Sequence, residues 1–521
     1  MPGSFDAIVI GSGFGGAITA CRLAERGYRV LILERGRRWG VKDFPRRPTD
    51  PWVWDQQQPA DRNGWFDFRV FPHMTVVAGA GVGGGSLVYA NISVEAKPDS
   101  FKSGWPAEIT YAELKPHYDT VGAMMHVQPV PANQWPERTR LLRDGATALG
   151  YGDRFRQLDL AVTFDPKWNY DLPNPHDPMM SRTFVNAEGR EQGTCVHLGN
   201  CDLGCDVNAR NTLDLNYLAR AEAKGVEIRP LHVVRAIEPD GDGYRVSFDR
   251  IENGALVAGS ERARLVIVAA GSIGSTELLL RSRDLHRTLP NLSARLGRNW
   301  SSNGDFLTPS IQPGRKVQPT RGPTITAAID LLDGKFRGQH VFIEDGGLPD
   351  IGGDYLQKIA DDGGGDARFQ VLIQFVRTLN LGGLLDSIMP WFAQGRDAGN
   401  GVFSWKDGRL HLDWDITDSE PTLDAIVELH QQMAIKTGGI PLTPLTWTLG
   451  KDLVTPHPLG GCNMGTTAAN GVVNHAGEVF GYKNLFVADG AIVPKALGLN
   501  PSRTIGALAE RVAKIIVSES R

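Results

Sequence analysis

The stretch that decides the fold runs from Phe5 to Gly40 and reads FDAIVIGSGFGGAITACRLAERGYRVLILERGRRWG. Its short apolar run Asp6–Ile10 predicts a buried parallel strand. The glycine-rich turn Gly11–Gly16 follows, and after it come a helical stretch and a second strand, Arg29–Leu33, which ends at Glu34. Strand, turn, helix and strand in this order form the βαβ fingerprint of a dinucleotide-binding domain.

Each residue type in the fingerprint has a physical reason. Gly11 allows the tight turn, Gly13 lets a pyrophosphate approach the backbone, and Gly16 lets helix and strand pack closely. The helix N-terminus supplies free N–H groups for that pyrophosphate. Glu34 can accept hydrogen bonds from an adenosine ribose and would repel a 2′-phosphate, which favours FAD or NAD over NADP. The alternative is an incidental glycine turn in an ordinary βαβ unit.

Length and composition limit the class of protein. At 521 residues the chain is too long for one core and predicts two domains. A net charge of −4 gives no reason to expect a nucleic-acid partner. No charged-then-apolar leader precedes Asp6, and no apolar run reaches the roughly 18 residues of a membrane span. We therefore expect a cytoplasmic protein.

The cysteines are odd in number, which favours a reduced state: Cys21, Cys195, Cys201, Cys205 and Cys462. Three of them and a histidine fall within Cys195–Cys205, which raises the alternative of a metal or iron–sulfur site. Their C-x5-C-x3-C spacing lacks the paired C-x2-C knuckles of zinc sites. We predict a structural thiol cluster and no metal.

A second glycine cluster, Gly79–Ser86, matches GxGxxG literally, so a second nucleotide site must be considered. The residues after it, Leu87–Val94, are rich in β-branched side chains rather than helical. Without a helix N-terminus the argument for phosphate binding fails. We predict a loop whose backbone lies against the first cofactor site.

Periodicity predicts the elements further along the chain. Helices are expected over 111–124, 211–223 and 272–281, and a hairpin turn at Asn253-Gly254. From 300 to 450 the pattern is that of an antiparallel sheet with hairpin turns at Asp333-Gly334 and Asp407-Gly408.

Residues 369–392 hold an apolar stretch that begins at helical spacing. It predicts a helix covering the sheet, or alternatively a lid or peripheral membrane contact for an apolar substrate.

The C-terminal part carries the most chemistry. His457 lies in a loop with no helical or strand period, where a side chain can be presented to a cavity. The strand Phe486–Asp489 ends in an acid suited to a flavin ribityl chain or pyrophosphate. Asn500-Pro501 precedes a closing helix whose N-terminus can face a flavin ring.

Taken together, these segments resemble the glucose–methanol–choline (GMC) oxidoreductase family, specifically its cholesterol oxidase-like branch. The resemblance extends from residue 6 to the C-terminus. The matching segments are Gly11–Gly16 with Glu34, Gly79–Val88, Val268–Gly271, His457–Cys462, Val487–Gly490 and Gly498–Ala509.

The resemblance implies a non-covalent FAD, because no histidine is an obvious candidate for covalent attachment. His457 matches the active-site histidine and Asn500 the active-site asparagine that together hold a substrate hydroxyl. Val341–Glu344 resembles the segment whose glutamate moves a proton during isomerisation; for Glu344, the alternative is a solvated acid at a strand end. The cofactor contacts it implies are Gly11, Gly13, Gly16, Glu34, Gly79, Gly83, Gly84, Ser86, Asn91, Gly271, Asp489, Gly490, Asn500 and Thr504.

The predicted fold class is α/β plus α+β, with a Rossmann-type FAD-binding domain and an antiparallel-sheet substrate domain covering the flavin. The FAD-binding domain is predicted from residues 1–42, 76–95, 192–300 and 455–521. The substrate domain is predicted from residues 43–75, 96–191 and 301–454.

The implied reaction is oxidation of a bulky, mainly apolar alcohol (a sterol, terpenoid or aryl-alkyl alcohol) with hydride transfer to flavin N5. A neutral imidazole at His457 can take the hydroxyl proton, and the Asn500 amide can orient the oxygen. The electron acceptor is O2 or another oxidant. Tyr89–Asn91 stands where cholesterol oxidases carry Asn-Gly-Gly, and 350–395 looks inserted, so cholesterol itself is not assigned. The alternatives are a NAD-dependent dehydrogenase and a non-catalytic flavin-binding electron-transfer protein.

Overall fold

The predicted βαβ unit forms the centre of a parallel sheet. The computed structural model of the chain describes residues 5–349 and 384–519. Strand Phe5–Ile10 lies between Val30–Leu33 and the C-terminal half of Ala255–Val268. Strand Leu485–Val487 pairs with the other edge of Ala255–Val268, so both ends of the chain enter one sheet. The prediction of a Rossmann-type domain is confirmed.

The strands of this sheet are short aliphatic runs, as expected where both faces are covered. Val30–Leu33 is buried at every position, and so are the last four residues of Phe5–Ile10. The N-terminal helix Phe14–Ala24 packs against Tyr217–Ala223 and the C-terminal helix Ser502–Glu519. The two terminal helices thus cover one face of the sheet together.

One long strand links the parallel sheet to an antiparallel ribbon. The N-terminal half of Ala255–Val268 pairs with Gly243–Glu252 around the predicted turn at Asn253-Gly254. The same strand then continues into the parallel sheet and is followed by the helix Gly271–Leu280.

A second sheet, here called the roof sheet, is antiparallel. Its strands follow the spatial order Ile440–Pro441, Phe306–Ile311, Ile388–Gly395, Gln339–Asp345, Ala327–Phe336 and Phe155–Gln157. Helices Glu137–Ala148 and Glu420–Lys436 pack against it. Its strands fall within the predicted substrate-domain ranges, and those of the parallel sheet within the predicted FAD-domain ranges; the exact domain boundaries stay a prediction.

A small third sheet connects the two. Strand Leu453–Thr455 pairs in parallel with Met74–Gly79. This pairing brings the loop after Thr455 next to the start of the second glycine cluster.

The remaining elements complete the described chain. The other α-helices are Tyr111–Met124 and Leu445–Gly450, and the other strands are Val53–Trp54, Phe66–Phe71, Phe184–Val185, Glu191–Gln192, Glu227–Arg229, His232–Asp240, Val402–Lys406 and Arg409–Asp413. The predicted helix over 111–124 and the hairpin turn at Asp407-Gly408 are confirmed.

Two predicted elements need correction. The helix expected over 211–223 begins only at Tyr217, because the Asn216 side chain accepts from the Tyr217 N–H and caps it there. The hairpin expected at Asp333-Gly334 turns instead at Arg337 and Gly338, whose φ angles are 51° and 74°. Asp333-Gly334 lies within the strand, where the pairing register shifts.

The stretch 369–392 is also corrected in part. Residues 369–383 lie outside the described residues. Ile388–Gly395 is an inner strand of the roof sheet, with Ile388, Met389 and Trp391 completely buried. The helix predicted for this stretch is therefore wrong for 388–392, because a short apolar run cannot distinguish a helix from a buried strand. The alternative of a lid or membrane contact does not fit 388–391 either, since these residues are buried. The described helices include no candidate long and apolar enough to cross a bilayer.

Candidate active site

The turn Gly11–Gly16 has the geometry that its glycines predict. Gly11 has φ +95°, and a Cβ there would lie 2.4 Å from the Ala269 carbonyl oxygen. A Cβ on Gly16 would lie 2.0 Å from the Gly11 carbonyl oxygen, whereas one on Gly13 would meet nothing closer than 3.8 Å. Gly13 is the N-cap of the first helix, so the first N–H groups of the helix are free for an anion.

Glu34 lies where the fingerprint places it and is 5% exposed. Its carboxylate accepts from Ser12 N at 3.0 Å, Ser12 Oγ at 2.6 Å and Gly36 N at 2.9 Å. These bonds tie the turn to the end of the second strand. A carboxylate offers roughly four acceptor positions, so one remains for a hydroxyl group.

The second glycine cluster packs on the first. Gly83 N donates to Ser12 Oγ at 3.1 Å. A Cβ on Gly84 would lie 2.6 Å from Gly13 Cα, and one on Gly79 would lie 2.7 Å from the Gly84 carbonyl oxygen. The cluster is therefore a loop against the first turn, as the sequence predicts, and only Gly84–Leu87 forms a short 3-10 turn.

A buried arginine that sequence reasoning missed holds this loop in place. Arg210 donates to the Ser86 carbonyl oxygen at 2.6 Å, the Leu87 carbonyl oxygen at 2.8 Å and Asn91 Oδ1 at 2.7 Å. Asn91 Nδ2 is buried and has no hydrogen-bond partner among the described residues. An isolated arginine in an irregular stretch carries no motif, so the pattern offered no signal for it.

Asp489 joins the C-terminal strand to the helix Gly271–Leu280. Its carboxylate accepts from Gly271 N at 2.8 Å, Ser275 Oγ at 2.5 Å and Ala491 N at 2.8 Å. Burial raises the pKa of this carboxyl group, and those hydrogen bonds oppose the rise.

Two further predicted cofactor residues, Gly490 and Thr504, make contacts inside the protein. The Gly490 carbonyl oxygen accepts from Gly460 N at 2.9 Å. The buried Thr504 hydroxyl lies 2.9 Å from the Tyr118 hydroxyl, within the protein interior.

The segment Ser301–Asp305, here called the clip segment, holds the two C-terminal loops together. Ser301 and Leu459 exchange two backbone hydrogen bonds of 3.0 Å. Asn303 Oδ1 accepts from the backbone N–H groups of Leu497 at 3.0 Å and Gly498 at 2.9 Å, and its Nδ2 donates to the Leu499 carbonyl oxygen at 2.9 Å. Leu459, two residues after His457, and the residues just before Asn500 are thus bonded to one short stretch of chain.

His457 contacts the last residue of the clip segment. Its Nδ1 lies 2.9 Å and 3.1 Å from the two carboxylate oxygens of Asp305. The Asp305 side chain is completely buried, whereas that of His457 is 17% exposed. The Phe392 ring of the roof sheet has its centroid 6.3 Å from that of the His457 imidazole.

Glu344 is the buried acid of this site. Gln394 Nε2 donates to its Oε2 at 2.9 Å. The pKa of Glu344 is raised to about 8, chiefly by burial. The Gln394 and Asn500 amides oppose this rise, and the carboxylates of Asp345 and Asp305 contribute to it. Glu344, Asn500 and Asp305 therefore share one neighbourhood with His457. Glu344 Oε1 and Asn500 Oδ1 are buried oxygens with no hydrogen-bond partner among the described residues.

The roof sheet presents an apolar row beside this acid. Glu344 and Leu307 both stand directly opposite Phe392 in the antiparallel register, and such pairs share a face. Pro390 and Pro309 form the next pair on that face. Leu307 is 38% exposed, so this face borders an opening rather than a closed core.

The three cysteines of Cys195–Cys205 are free thiols. Burial raises the pKa of each. Cys195 Sγ accepts from His197 N at 3.4 Å and Cys205 Sγ from Ala209 N at 3.3 Å. Across residues 5–349 and 384–519, no group of three or more histidine, cysteine, aspartate or glutamate side chains is arranged to hold a metal ion.

Comparisons with known proteins bear on the family and the fold of the chain. A family model described as GMC oxidoreductase matches residues 408–509, and one described as NAD(P)-binding Rossmann-like domain matches residues 9–50. A cholesterol oxidase from Acinetobacter baumannii is 31% identical over 98% of this chain and 94% of its own length. A cholesterol oxidase from Mycobacterium tuberculosis is 31% identical over 99% of this chain and 91% of its own length. The solved structure of pyridoxine 4-oxidase from Mesorbium loti superposes with a TM-score of 0.63 at 16% identity, covering 98% of this chain and 99% of its own, and supports the fold alone.

The parallel sheet and its glycine-rich turns define a protein with a dinucleotide-binding domain of the Rossmann type. The chain belongs to the GMC oxidoreductase family and is cholesterol oxidase-like within it. It is therefore an FAD-dependent enzyme that acts on CH–OH donors, and the NAD-dependent and non-catalytic alternatives no longer apply.

The residues present fit an FAD. A Cβ on Gly85 or Gly271 would meet nothing within 4 Å, so the backbone faces open space at both positions. Asn91 Nδ2 and Asn500 Oδ1 are buried polar atoms without partners in the described chain, which a bound ring or ribityl chain can satisfy. The free N–H groups after Gly13 suit the pyrophosphate.

A matched pair of glycine substitutions tests the first turn. Gly16→Ala should lower the free energy of unfolding by about 2 kcal/mol or more, because its Cβ collides with a backbone oxygen. Gly13→Ala should fold with near wild-type stability, because its Cβ meets nothing closer than 3.8 Å. It should retain less FAD, because the added methyl group lies at the helix N-cap that the pyrophosphate must approach closely. Urea denaturation and the ratio of flavin to protein absorbance measure the two effects. Equal FAD content in wild type and Gly13→Ala would contradict this placement.

The buried Glu344 should make stability depend on pH. The native carboxyl group holds its proton up to about pH 8, whereas its ordinary pKa is 4.5. The native state then binds the extra proton, so the free energy of unfolding falls as pH rises between these values, by at most ~1.4 kcal/mol per pH unit. Urea denaturation of wild type and Glu344→Gln with excess FAD, from pH 5 to pH 8, measures the difference. A pH-independent difference would contradict the raised pKa.

Proposed function

We propose that the enzyme oxidises a bulky, mainly apolar alcohol to the carbonyl compound, with His457 and Asn500 holding the substrate hydroxyl. Candidate substrates are sterols, terpenoids and aryl-alkyl alcohols. The observation that carries the proposal is the clip segment, which bonds the loops of both residues next to the buried Glu344.

The proposed roles follow from the atoms that remain available. Asp305 occupies His457 Nδ1, so Nε2 is the nitrogen left to take the hydroxyl proton. The Asn500 amide fixes the substrate oxygen and thereby the direction of the carbinol C–H bond, which lowers the barrier by positioning. When bound, FAD supplies the hydride acceptor. The active-site residues themselves hold and move the proton.

Glu344 is proposed to move a proton next to the product carbonyl. Its carboxyl group is mainly protonated at neutral pH, because burial raises its pKa to about 8. Its unpartnered Oε1 is free to exchange a hydrogen bond with a ligand.

The apolar row of the roof sheet supports the substrate class. Leu307, Phe392, Pro390 and Pro309 share the face that borders His457. Hydrocarbon surface is stabilised against such a face by roughly 25 cal/mol per Å² removed from water. A sugar would place hydroxyl groups against groups that cannot hydrogen-bond them. The two relatives named as cholesterol oxidases support the same class.

An anaerobic alcohol panel tests the proposal. Sterols, terpenols, aryl alcohols and sugars are mixed with the holoenzyme, and loss of flavin absorbance is followed in a stopped-flow instrument. Members of the first three groups should bleach the flavin, and sugars should not. His457→Gln should slow bleaching about 10²- to 10⁴-fold, because the proton acceptor is removed.

The exposed His126 supplies the matched control. The flavin of His126→Gln should bleach at the wild-type rate. The wild type, His126→Gln and His457→Gln should all retain FAD. Bleaching by sugars alone, or a His457→Gln variant as fast as wild type, would contradict the proposal. Subsequent admission of air tests whether O2 is the acceptor.

A further inference from the structure

Among the described residues, no arginine or lysine pairs with the buried Asp305 carboxylate, which is unusual for such a group. Its hydrogen bonds there go to His457 Nδ1 and to the Thr455 hydroxyl, which donates to Oδ2 at 2.5 Å. Thr455 Oγ1 in turn accepts from the His457 backbone N–H at 2.9 Å. The Thr455 hydroxyl also lies 2.9 Å from the Ser302 carbonyl oxygen, a second acceptor for its single proton. Asp305 thus accepts from His457 Nδ1 and shares the Thr455 hydroxyl with Ser302.

This arrangement determines which nitrogen of His457 carries the proton. A carboxylate can only accept, so Nδ1 must donate to it and the lone pair must lie on Nε2. A positive charge that forms on the imidazole is also stabilised by the carboxylate at 2.9 Å. Burial strengthens both effects, because the surroundings screen charge less than water does.

Backbone anchoring of the clip segment does not need the Asp305 carboxylate. Asp397 accepts from Ser301 Oγ at 2.7 Å and from Ser302 N at 2.9 Å. Asn303 bonds the loop before Asn500. These neighbours hold the backbone, whereas the Asp305 side chain is directed at His457 and Thr455.

We propose that Asp305 is a positioning residue for the oxidation reaction, acting through His457, and that Thr455 aligns its carboxylate. Asp305 keeps His457 in the tautomer whose Nε2 accepts the hydroxyl proton and stabilises the imidazolium after the transfer. In that step the substrate O–H bond breaks and an Nε2–H bond forms, while the carbinol hydride leaves for the flavin. The inference rests on the function proposed for His457.

Asp305→Asn is the direct test. Its amide N–H₂ can donate to Nδ1 and favour the wrong tautomer, so the limiting rate of flavin reduction by an alcohol that reduces wild type should fall at least ~100-fold. The dissociation constant of the alcohol should change less than twofold, because Asp305 does not contact the substrate. In a His457→Gln background the same substitution should have no further effect. An additive loss in the double variant would mean that Asp305 does not act through His457.

A spectroscopic measurement keeps the proposal testable even if Asp305→Asn fails to fold. The wild-type holoenzyme, labelled with ¹⁵N-histidine, should show a His457 signal protonated at Nδ1, identified by its loss in His457→Gln. Asp397→Asn serves as the structural control: it should lower the melting temperature but keep this signal. A wild-type His457 protonated at Nε2 would overturn the proposal.

The outcomes separate the two proposals. If no alcohol reduces the flavin, the proposed function fails. If alcohols reduce it, His457→Gln abolishes the reaction and Asp305→Asn reacts like wild type, only the role of Asp305 fails.

Discussion

Hydrogen bonds from three residues of the clip segment, Ser301, Asn303 and Asp305, hold the loops of the candidate active site together. The carbonyl and N–H of Ser301 bond Leu459, the Asn303 amide bonds the backbone before Asn500, and the Asp305 carboxylate bonds His457. Asn303 has φ +60° and is completely buried, an unfavourable backbone conformation that the surrounding bonds maintain. Removing any one bond would leave a buried polar group unpaired, which costs about 1–3 kcal/mol.

The fold explains why groups far apart in sequence meet there. The parallel sheet brings both ends of the chain to one strand, because Phe5–Ile10 and Leu485–Val487 pair with opposite edges of Ala255–Val268. The roof sheet then places Glu344 and Phe392 over the loop that carries His457. Glu344 is removed from water there, and this burial keeps its carboxyl group mainly protonated at neutral pH.

Sequence patterns correctly predicted those elements whose structure depends on residues close together in the chain. The βαβ unit and the turn at Asn253-Gly254 were correct, because turn chemistry and apolar runs specify them. The strand Ile388–Gly395 was missed, since its identity comes from pairing with distant strands rather than from periodicity. Asp305 and Arg210 were missed because each is a single side chain whose role depends on contacts with residues distant in sequence. The sequence singled out His457 by its loop and Asn500 by its position before the closing helix, but their roles came from resemblance to a family and stay a prediction.

The most direct test of this account is a crystal structure of the FAD-loaded enzyme with the carbonyl product of an alcohol that reduces it. We expect the carbonyl oxygen to lie within hydrogen-bond distance of both His457 Nε2 and the Asn500 side chain. We also expect the hydrocarbon part of the product to contact Phe392 and Leu307. A product oxygen that contacts neither His457 nor Asn500, with the two side chains directed apart, would contradict it.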